Sequence, residues 1–256
     1  MSKELFHNPA PESLPALYID LIKRCLLNSI YAENEVAILS GFELDAEARL
    51  EGKAWPSMAH TMIGQRRLEN LQYCVETVLK DGIAGDLLEA GVWRGGATIL
   101  MRAILKAHQV RNRVVWVADS FAGVPAPNPQ KYPLDAGMFL HKFRDLAVPL
   151  DKVKANFARY GLLDDQVRFL KGWFKDTLPD APIRQLAVLR IDGDLYESTM
   201  DVLTHLHPKV TAGGFVIVDD YGEIASCRQA VTDYRSTHGI NNPIMPIDWT
   251  GVYWRR

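Results

Sequence analysis

Five apolar runs of strand length alternate with helical stretches from residue 86 onwards in this 256-residue chain. This alternation predicts βαβ units and a mostly parallel sheet. Two amphipathic helices, Leu17–Tyr31 and Gly64–Lys80, precede it, and Thr250–Arg256 reads as a last short strand. The five runs are Asp86–Gly91, Val114–Asp119, Gln166–Lys171, Leu186–Asp192 and Phe215–Asp220, and the helical stretches between them include Ala97–His108, Lys152–Tyr160 and Ser198–His207.

Charge and composition exclude several classes of protein. The 31 acidic residues nearly balance the 29 basic ones, which argues against a nucleic-acid binder or a protein of anionic membranes. No run reaches the roughly 18 apolar residues of a membrane span, and Met1–Pro15 lacks the apolar core of a signal peptide. The three widely spaced cysteines form no Cys-x-x-Cys pair, which argues against a disulfide framework and against a zinc site. We expect a cytoplasmic protein.

A glycine-rich turn follows the first predicted strand and leads into a helix. It runs from Glu89 through Gly91 to Gly95 and Gly96, and such glycines let a ligand approach the backbone and the free N–H groups of the helix. The spacing is not the Gly-x-Gly-x-x-Gly of dinucleotide binders, and the glycines alone could serve only a tight turn. Because Asp119 ends the second strand, where a carboxylate can accept ribose hydroxyls, we expect a nucleoside cofactor.

Two pairs of acidic residues end the fourth and fifth predicted strands. Asp192 and Asp194 follow one strand, and Asp219 and Asp220 follow the other. Neighbouring strands lie about 4.8 Å apart, so four carboxylates would repel one another unless some are protonated or a cation lies among them. Oxygen ligands without His or Cys favour Mg²⁺ or a similar ion. Alternatively, Asp194 and Asp220 cap the helices that follow them.

A nucleoside site beside a metal site points to one kind of chemistry. A bound metal can acidify a substrate hydroxyl, and the resulting oxygen is a nucleophile. The natural electrophile is a positively charged sulfonium methyl donor, held in line with the oxygen. Residues 121–136 contain four prolines and are predicted to form a long surface loop of the kind that often closes over such a site.

With these motifs, the chain resembles the TylF/MycF family of macrolide-sugar O-methyltransferases, which depend on S-adenosylmethionine and Mg²⁺. The resemblance runs from about Thr61 to the C-terminus. It is carried by six segments in order: Thr61-Met-Ile-Gly-x-x-Arg-Leu, Glu89-Ala-Gly-Val-Trp-Arg-Gly-Gly-Ala97, Trp116-Val-Ala-Asp-Ser-Phe121, Gly172-Trp-Phe-Lys-Asp-Thr-Leu-Pro179, Leu189-Arg-Ile-Asp-Gly-Asp-Leu-Tyr-Glu-Ser-Thr-Met200 and Gly213-Gly-Phe-Val-Ile-Val-Asp-Asp-Tyr221.

The resemblance implies a fold and a role for each site residue. The fold would be the Rossmann-like class I methyltransferase fold, with a mostly parallel seven-stranded sheet flanked by helices in residues 61–256 and a helical extension or lid in residues 1–60. Asp192, Asp219 and Asp220 would hold Mg²⁺, and Asp194 would be the general base. The donor pocket would be lined by Thr61, Met62, Ile63, Glu89, Gly91, Asp119, Ser120, Gly172, Trp173 and Phe174, with Asp119 on the ribose.

The function implied by the resemblance is methylation of a sugar hydroxyl on a glycosylated natural product, as a tailoring step of antibiotic biosynthesis. We expect a small-molecule glycosylated acceptor, no nucleic-acid or membrane partner, and a homo-oligomer, dimeric or higher. A catechol-type aromatic acceptor is an alternative, as is an Asp-x-Asp glycosyltransferase or a binding protein without activity. His141 either reaches the acceptor or stays on the surface. Four aromatic residues are candidates for a sugar platform or for the core: Tyr196, Tyr221, Trp249 and Trp254.

Overall fold

A single seven-stranded sheet organises the computed structural model, which describes residues 13–31, 35–43 and 45–256. The strands follow the order β3-β2-β1-β4-β5-β7-β6, and the first five pair in parallel. β7 runs antiparallel to β5, and β6 runs antiparallel to β7. The strands are β1 (Asp86–Ala90), β2 (Val115–Asp119), β3 (Val167–Lys171), β4 (Leu186–Ile191), β5 (Val210–Val218), β6 (Met245–Pro246) and β7 (Val252–Arg255).

Helices cover both faces of the sheet. They are α1 (Leu14–Leu26), α2 (Ala46–Glu51), α3 (Gln65–Lys80), α4 (Gly96–Ala107), α5 (Leu150–Arg159), α6 (Phe174–Thr177), α7 (Tyr196–Leu206) and α8 (Ala225–Thr237). Side chains alternate along each strand, so one face packs against α1, α3, α4 and α5 and the other against α7 and α8. None of the helices in the described ranges has the length and apolar character that spanning a bilayer requires.

The predicted architecture is confirmed, with differences at the ends of elements. The predicted helix Leu17–Tyr31 begins at Leu14, because the Ser13 hydroxyl accepts the N–H of Ala16, and ends at Leu26. Asn28, in a left-handed conformation, then turns the chain. The elements that were not predicted include α8, whose buried positions include the small residues Cys227 and Ala230, and the short elements α6 and β6, of four and two residues.

Helix α1 packs into the core on one face of the sheet. Ile19, Ile22 and Leu26 are buried in the same core cluster as the side chains of α3 and α4. The opposite face of α1 exposes Leu14, Leu17 and Leu21. The first twelve residues of the predicted N-terminal extension lie outside the described residues.

The parallel strands bring the chain to one edge of the sheet each time it leaves a strand. The N–H of Asp192 donates to Ala90 O (2.8 Å), and the N–H of Asp219 donates to Ile191 O (2.9 Å). Gly91 leaves β1 with φ +88°, and a Cβ at this position would overlap the carbonyl oxygen of Asp192. This turn therefore requires glycine for two reasons, the backbone conformation and the contact with β4.

Comparing alanine substitutions at Gly91 and at Gly82 should separate the cost of the backbone conformation from the cost of the close contact. We expect G91A to lower the free energy of unfolding by about 3 kcal/mol or more, through left-handed strain plus overlap with β4. Gly82 also has a positive φ (+67°), but no atom lies within 4 Å of the position that its Cβ would take, so G82A should cost only about 1 kcal/mol. Urea unfolding of both variants measures the difference, and equal losses would contradict a close approach at Gly91.

Candidate active site

A cavity of about 1130 Å³ opens at the carboxyl edge of the sheet. A single drug-sized ligand usually occupies roughly 300–1,000 Å³, so this cavity has room for two small molecules. Every predicted site residue lines it: Thr61, Met62, Ile63, Glu89, Gly91, Asp119, Ser120, Gly172, Trp173, Phe174, Asp192, Asp194, Asp219 and Asp220. The structure thus brings together residues from six separate segments of the chain.

The other residues considered for the acceptor are divided between cavity and core. His141 and Trp249 line the cavity, and the indole of Trp249 donates to Glu51 O (2.9 Å). Trp254 is fully buried on β7, so it cannot form a sugar platform. Tyr196 and Tyr221 are not part of the cavity wall, and the Tyr196 hydroxyl donates to Asp233 (3.0 Å).

The glycine-rich turn between β1 and α4, residues 91–96, is called the donor turn here. Asp119, at the end of β2, is bonded to it through its carboxylate, which accepts the N–H of Val92 (2.7 Å) and the N–H of Phe121 (2.7 Å). Burial raises the pKa of Asp119, and these two backbone hydrogen bonds oppose the rise. The Ser120 hydroxyl also donates to this carboxylate (3.4 Å), and the contact of Asp119 with ribose hydroxyls stays a prediction.

The cover segment, residues 55–63, is held from a direction that the sequence does not reveal. The guanidinium of Arg49 in α2 donates to Thr61 O (2.8 Å), Met62 O (3.3 Å) and Ile63 O (3.3 Å). Arg49 is buried, and that burial lowers its pKa to about 10. Charged residues of short helices usually face water, so no sequence signal marked Arg49 as a support of the site.

A buried arginine in β4 joins the acidic residues of three neighbouring strands. Arg190 is the register partner of Glu89 on β1, and its side chain is 1% exposed. Its guanidinium donates to Glu89, to Asp192 (2.9 Å) and to Asp219. The second oxygen of Asp219 accepts from Arg67, in the first turn of α3. Neither arginine was predicted, because Arg190 stands within an apolar strand and Arg67 among the polar residues that begin a helix.

Glu89 shows how strongly this environment disfavours negative charge. Burial raises its pKa to about 8, although the neighbouring Arg190 opposes the rise. One carboxylate oxygen contacts Arg190, and the other is buried without a hydrogen-bond partner. A buried unpartnered oxygen on a cavity wall is free to receive a hydrogen-bond donor of a ligand.

Three carboxylates at the same edge are not fully neutralised by arginine side chains. Ligand oxygens of Asp192, Asp194 and Asp220 lie within 4.8 Å of one another. Burial and the neighbouring carboxylates raise the pKa of Asp192 to about 6, that of Asp194 to about 8, and that of Asp220 well above its usual range. A divalent cation would relieve this repulsion, and an all-oxygen set suits Mg²⁺. The residues present therefore fit the predicted ion.

This cluster differs in one residue from the predicted Mg²⁺ ligands, because it contains Asp194 in place of Asp219. Asp219 gives its two oxygens to Arg190 and Arg67, whereas Asp194 lies within the cluster. The ligand role of Asp219 stays a prediction. Asp194 has a left-handed backbone (φ +57°), and its N–H donates to Asp220 (3.2 Å), which holds the two side by side.

The alternative that Asp194 and Asp220 cap helices is wrong. The residues before α7 and α8 are Leu195 and Ile224, and neither helix has a side-chain cap from that position. The first N–H groups of α7 donate instead to Asp135, which accepts those of Tyr196 (2.7 Å) and Glu197 (3.1 Å). Asp135 comes from the proline-rich stretch, so it ties that stretch to the start of α7.

Proteins of known activity are similar to this chain over almost its whole length. A curated relative from Streptomyces olivaceus, 8-demethyl-8-(2,3-dimethoxy-alpha-L-rhamnosyl)-tetracenomycin-C 4′-O-methyltransferase, is 59% identical over 93% of this chain and 92% of its own. Mycinamicin III 3″-O-methyltransferase from Micromonospora griseorubida is 55% identical over 96% and 99%. The solved structure of the O-methyltransferase NovP superposes with a TM-score of 0.91 at 53% identity, covering 94% of this chain and 99% of that one.

The family model of TylF, macrocin-O-methyltransferase, matches residues 15–256. The match starts well before Thr61 and includes α1, in agreement with the packing of that helix into the common core. The family match and the named relatives show that the chain is a methyltransferase, so the glycosyltransferase and non-enzymatic alternatives are wrong. The chain belongs to the TylF family of macrocin-O-methyltransferases and is an O-methyltransferase, for which family and fold imply S-adenosylmethionine as the methyl donor.

Proposed function

We propose that this enzyme methylates a sugar hydroxyl of a glycosylated natural product in an antibiotic pathway, with a divalent cation, Mg²⁺, in its site. The names of the two relatives place their methyl groups on the 4′ oxygen of a rhamnosyl-tetracenomycin and on the 3″ oxygen of mycinamicin III. The observation that carries the proposal is the position of the carboxylate cluster, Asp192, Asp194 and Asp220, in the wall of the same cavity as the donor turn.

Asp192 and Asp220 are the proposed core of the cation site. Asp219 would reach the ion only by giving up a contact with Arg67 or Arg190. A divalent cation bound there would lower the pKa of a coordinated sugar hydroxyl. Arg190 keeps Asp192 in place from behind, since it is bonded to this carboxylate and is itself fixed by Glu89 and Asp219.

Asp194 is the proposed general base. Its carboxylate lines the cavity beside Asp192 and Asp220, so it can accept the proton of an acceptor hydroxyl held at this edge. Without a cation, burial and the neighbouring carboxylates raise its pKa to about 8, and a cation bound among them would lower this pKa again, so that Asp194 would be ionised and able to take the proton. A positioned base of this kind contributes a factor of about 10²–10⁴ to the rate.

Two segments can keep water away from the transferred methyl group. The lid segment, residues 121–149, and the cover segment both contribute to the cavity wall. They meet where the rings of Trp55 and Phe143 contact edge to face, with centroids 5.5 Å apart. A closed wall strengthens the electrostatic interactions inside and prevents hydrolysis of the donor.

We also propose a homo-oligomer in the cytoplasm. The exposed face of α1, with Leu14, Leu17 and Leu21, supports an interface between subunits. Cys25, Cys74 and Cys227 are free thiols, as expected in a reducing compartment. The near balance of charge supports a neutral small-molecule acceptor in preference to nucleic acid or a membrane surface.

An acceptor screen tests the proposed substrate class. We expect mass spectrometry to show a gain of one methyl on deoxysugar-bearing natural products incubated with enzyme, S-adenosylmethionine and Mg²⁺, and no gain in excess chelator. Catechols serve as the comparison, because an aromatic diol can chelate the same ion. Methylation of catechols but of no glycoside would contradict the proposal, and full activity in chelator would contradict the cation.

Replacing the proposed base tests the role of Asp194. We expect D194N to lower kcat at least about 10²-fold, because an amide cannot take the proton. Asp201, a cavity carboxylate outside the cluster whose pKa burial raises to about 6, offers the matched variant D201N. A loss in D194N no larger than that in D201N, measured with the best acceptor of the screen, would show that Asp194 is not the base.

Cation affinity should depend on pH. Because the pKa of Asp194 is raised to about 8 and that of Asp192 to about 6, lowering the pH adds protons that a cation must displace. We expect calorimetry to show at least about tenfold weaker Mg²⁺ binding at pH 6.0 than at pH 8.5. D194N should have a flatter dependence, and equal affinities in the wild type at both pH values would refute competition with protons.

A further inference from the structure

Trp93 and Arg94 lie in the middle of the donor turn, and each side chain is bonded to a different segment of the cavity wall. The indole N–H of Trp93 donates to Asp145 O of the lid segment (2.8 Å). The guanidinium of Arg94 donates to Ala59 O of the cover segment (2.7 Å) and lies 4.0 Å from the centre of the Trp93 ring. The two residues therefore connect the turn to both parts of the wall.

The backbone of the turn is constrained at the same point. Trp93 has φ +48°, a left-handed conformation that bulky residues avoid and that persists only where the surroundings hold it. Its neighbour is held by Asn156 in α5, whose buried side chain donates to Arg94 O (2.9 Å). In this conformation the indole of Trp93 points toward the lid segment.

The two halves of the lid segment are held by different contacts. Its first half is fixed by the buried carboxylate of Asp135, which accepts two N–H groups at the start of α7. In its second half, residues 137–148, the indole of Trp93 supplies the hydrogen bond to another part of the described fold, while Phe143 contacts Trp55 and Val148 packs into the core. Asp145 is exposed, so this attachment is open to solvent.

Residues of this second half form part of the wall of the cavity that is proposed to bind the acceptor. Phe139, Leu140 and Leu146 line the cavity, and Phe143 contacts Trp55 of the cover segment. A shift of residues 137–148 would therefore change the acceptor side of the cavity. The donor turn itself is braced separately, by Asn156 and by the Asp119 carboxylate on the N–H of Val92.

We propose that Trp93 is a positioning residue that latches the lid segment to the donor turn, so that a donor bound at the turn stabilises the closed wall around the acceptor. The effect of a bound methyl donor in this inference rests on the proposed function. The latch links the two proposed substrate sites through the wall of the cavity. It predicts that loss of the indole N–H loosens the lid segment while the donor site keeps its affinity.

Hydrogen–deuterium exchange of W93F measures the latch directly. Phenylalanine keeps a ring beside Arg94 and removes the indole N–H. We expect peptides covering residues 139–148 to exchange about three- to tenfold faster than in the wild type, which is the effect of one lost hydrogen bond on local opening. S-adenosylhomocysteine should slow these peptides in the wild type and much less in W93F, and its calorimetric affinity should stay within about threefold.

The matched control is W116F. The indole of Trp116 donates to Asp86 (2.9 Å) at the start of β1, so this variant also loses one indole hydrogen bond but leaves the lid segment untouched. Unchanged lid exchange in W93F, or an equal rise in W116F, would overturn the latch. If S-adenosylhomocysteine fails to bind the wild type, the proposed donor is contradicted, and exchange of the unliganded variants still decides the latch.

Discussion

The buried positive charge of Arg190 is what allows acidic side chains from three neighbouring strands to meet at one edge of the sheet. A carboxylate taken out of water needs a partner, and a guanidinium can serve several carboxylates at once. Arg190 contacts Glu89, Asp192 and Asp219, and Arg67 takes the remaining oxygen of Asp219. Removing such a charge typically costs about 3–5 kcal/mol, because the acids are left buried and unpaired.

The two arginines compensate only part of the acidic cluster, and the remainder defines the chemistry. Asp192, Asp194 and Asp220 stay close together with strongly raised pKa values. This excess of negative charge faces the same cavity as the donor turn. With arginines behind it and these carboxylates facing the cavity, the cluster is suited to the proposed cation, which would lower the pKa of a substrate hydroxyl.

Much of this arrangement could be predicted from the sequence, because it follows from local patterns. Period and length identified β1 to β5, and the parallel order then required the acids at the carboxyl ends of β1, β2, β4 and β5 to share one edge. What could not be predicted depends on contacts between distant residues. Asp135 caps α7 from 61 positions away, and Arg67 reaches Asp219 across 152. Such contacts leave no periodic trace, and Arg190 looked like part of an apolar run.

The most direct measurement is anomalous diffraction from crystals grown with Mn²⁺ in place of Mg²⁺. The account predicts one strong anomalous peak per chain among the carboxylates of Asp192, Asp194 and Asp220, with Arg190 still bonded to Glu89 behind it. The absence of any peak at this edge, with the aspartates paired only to arginines, would contradict the central claim that the cluster holds a divalent cation.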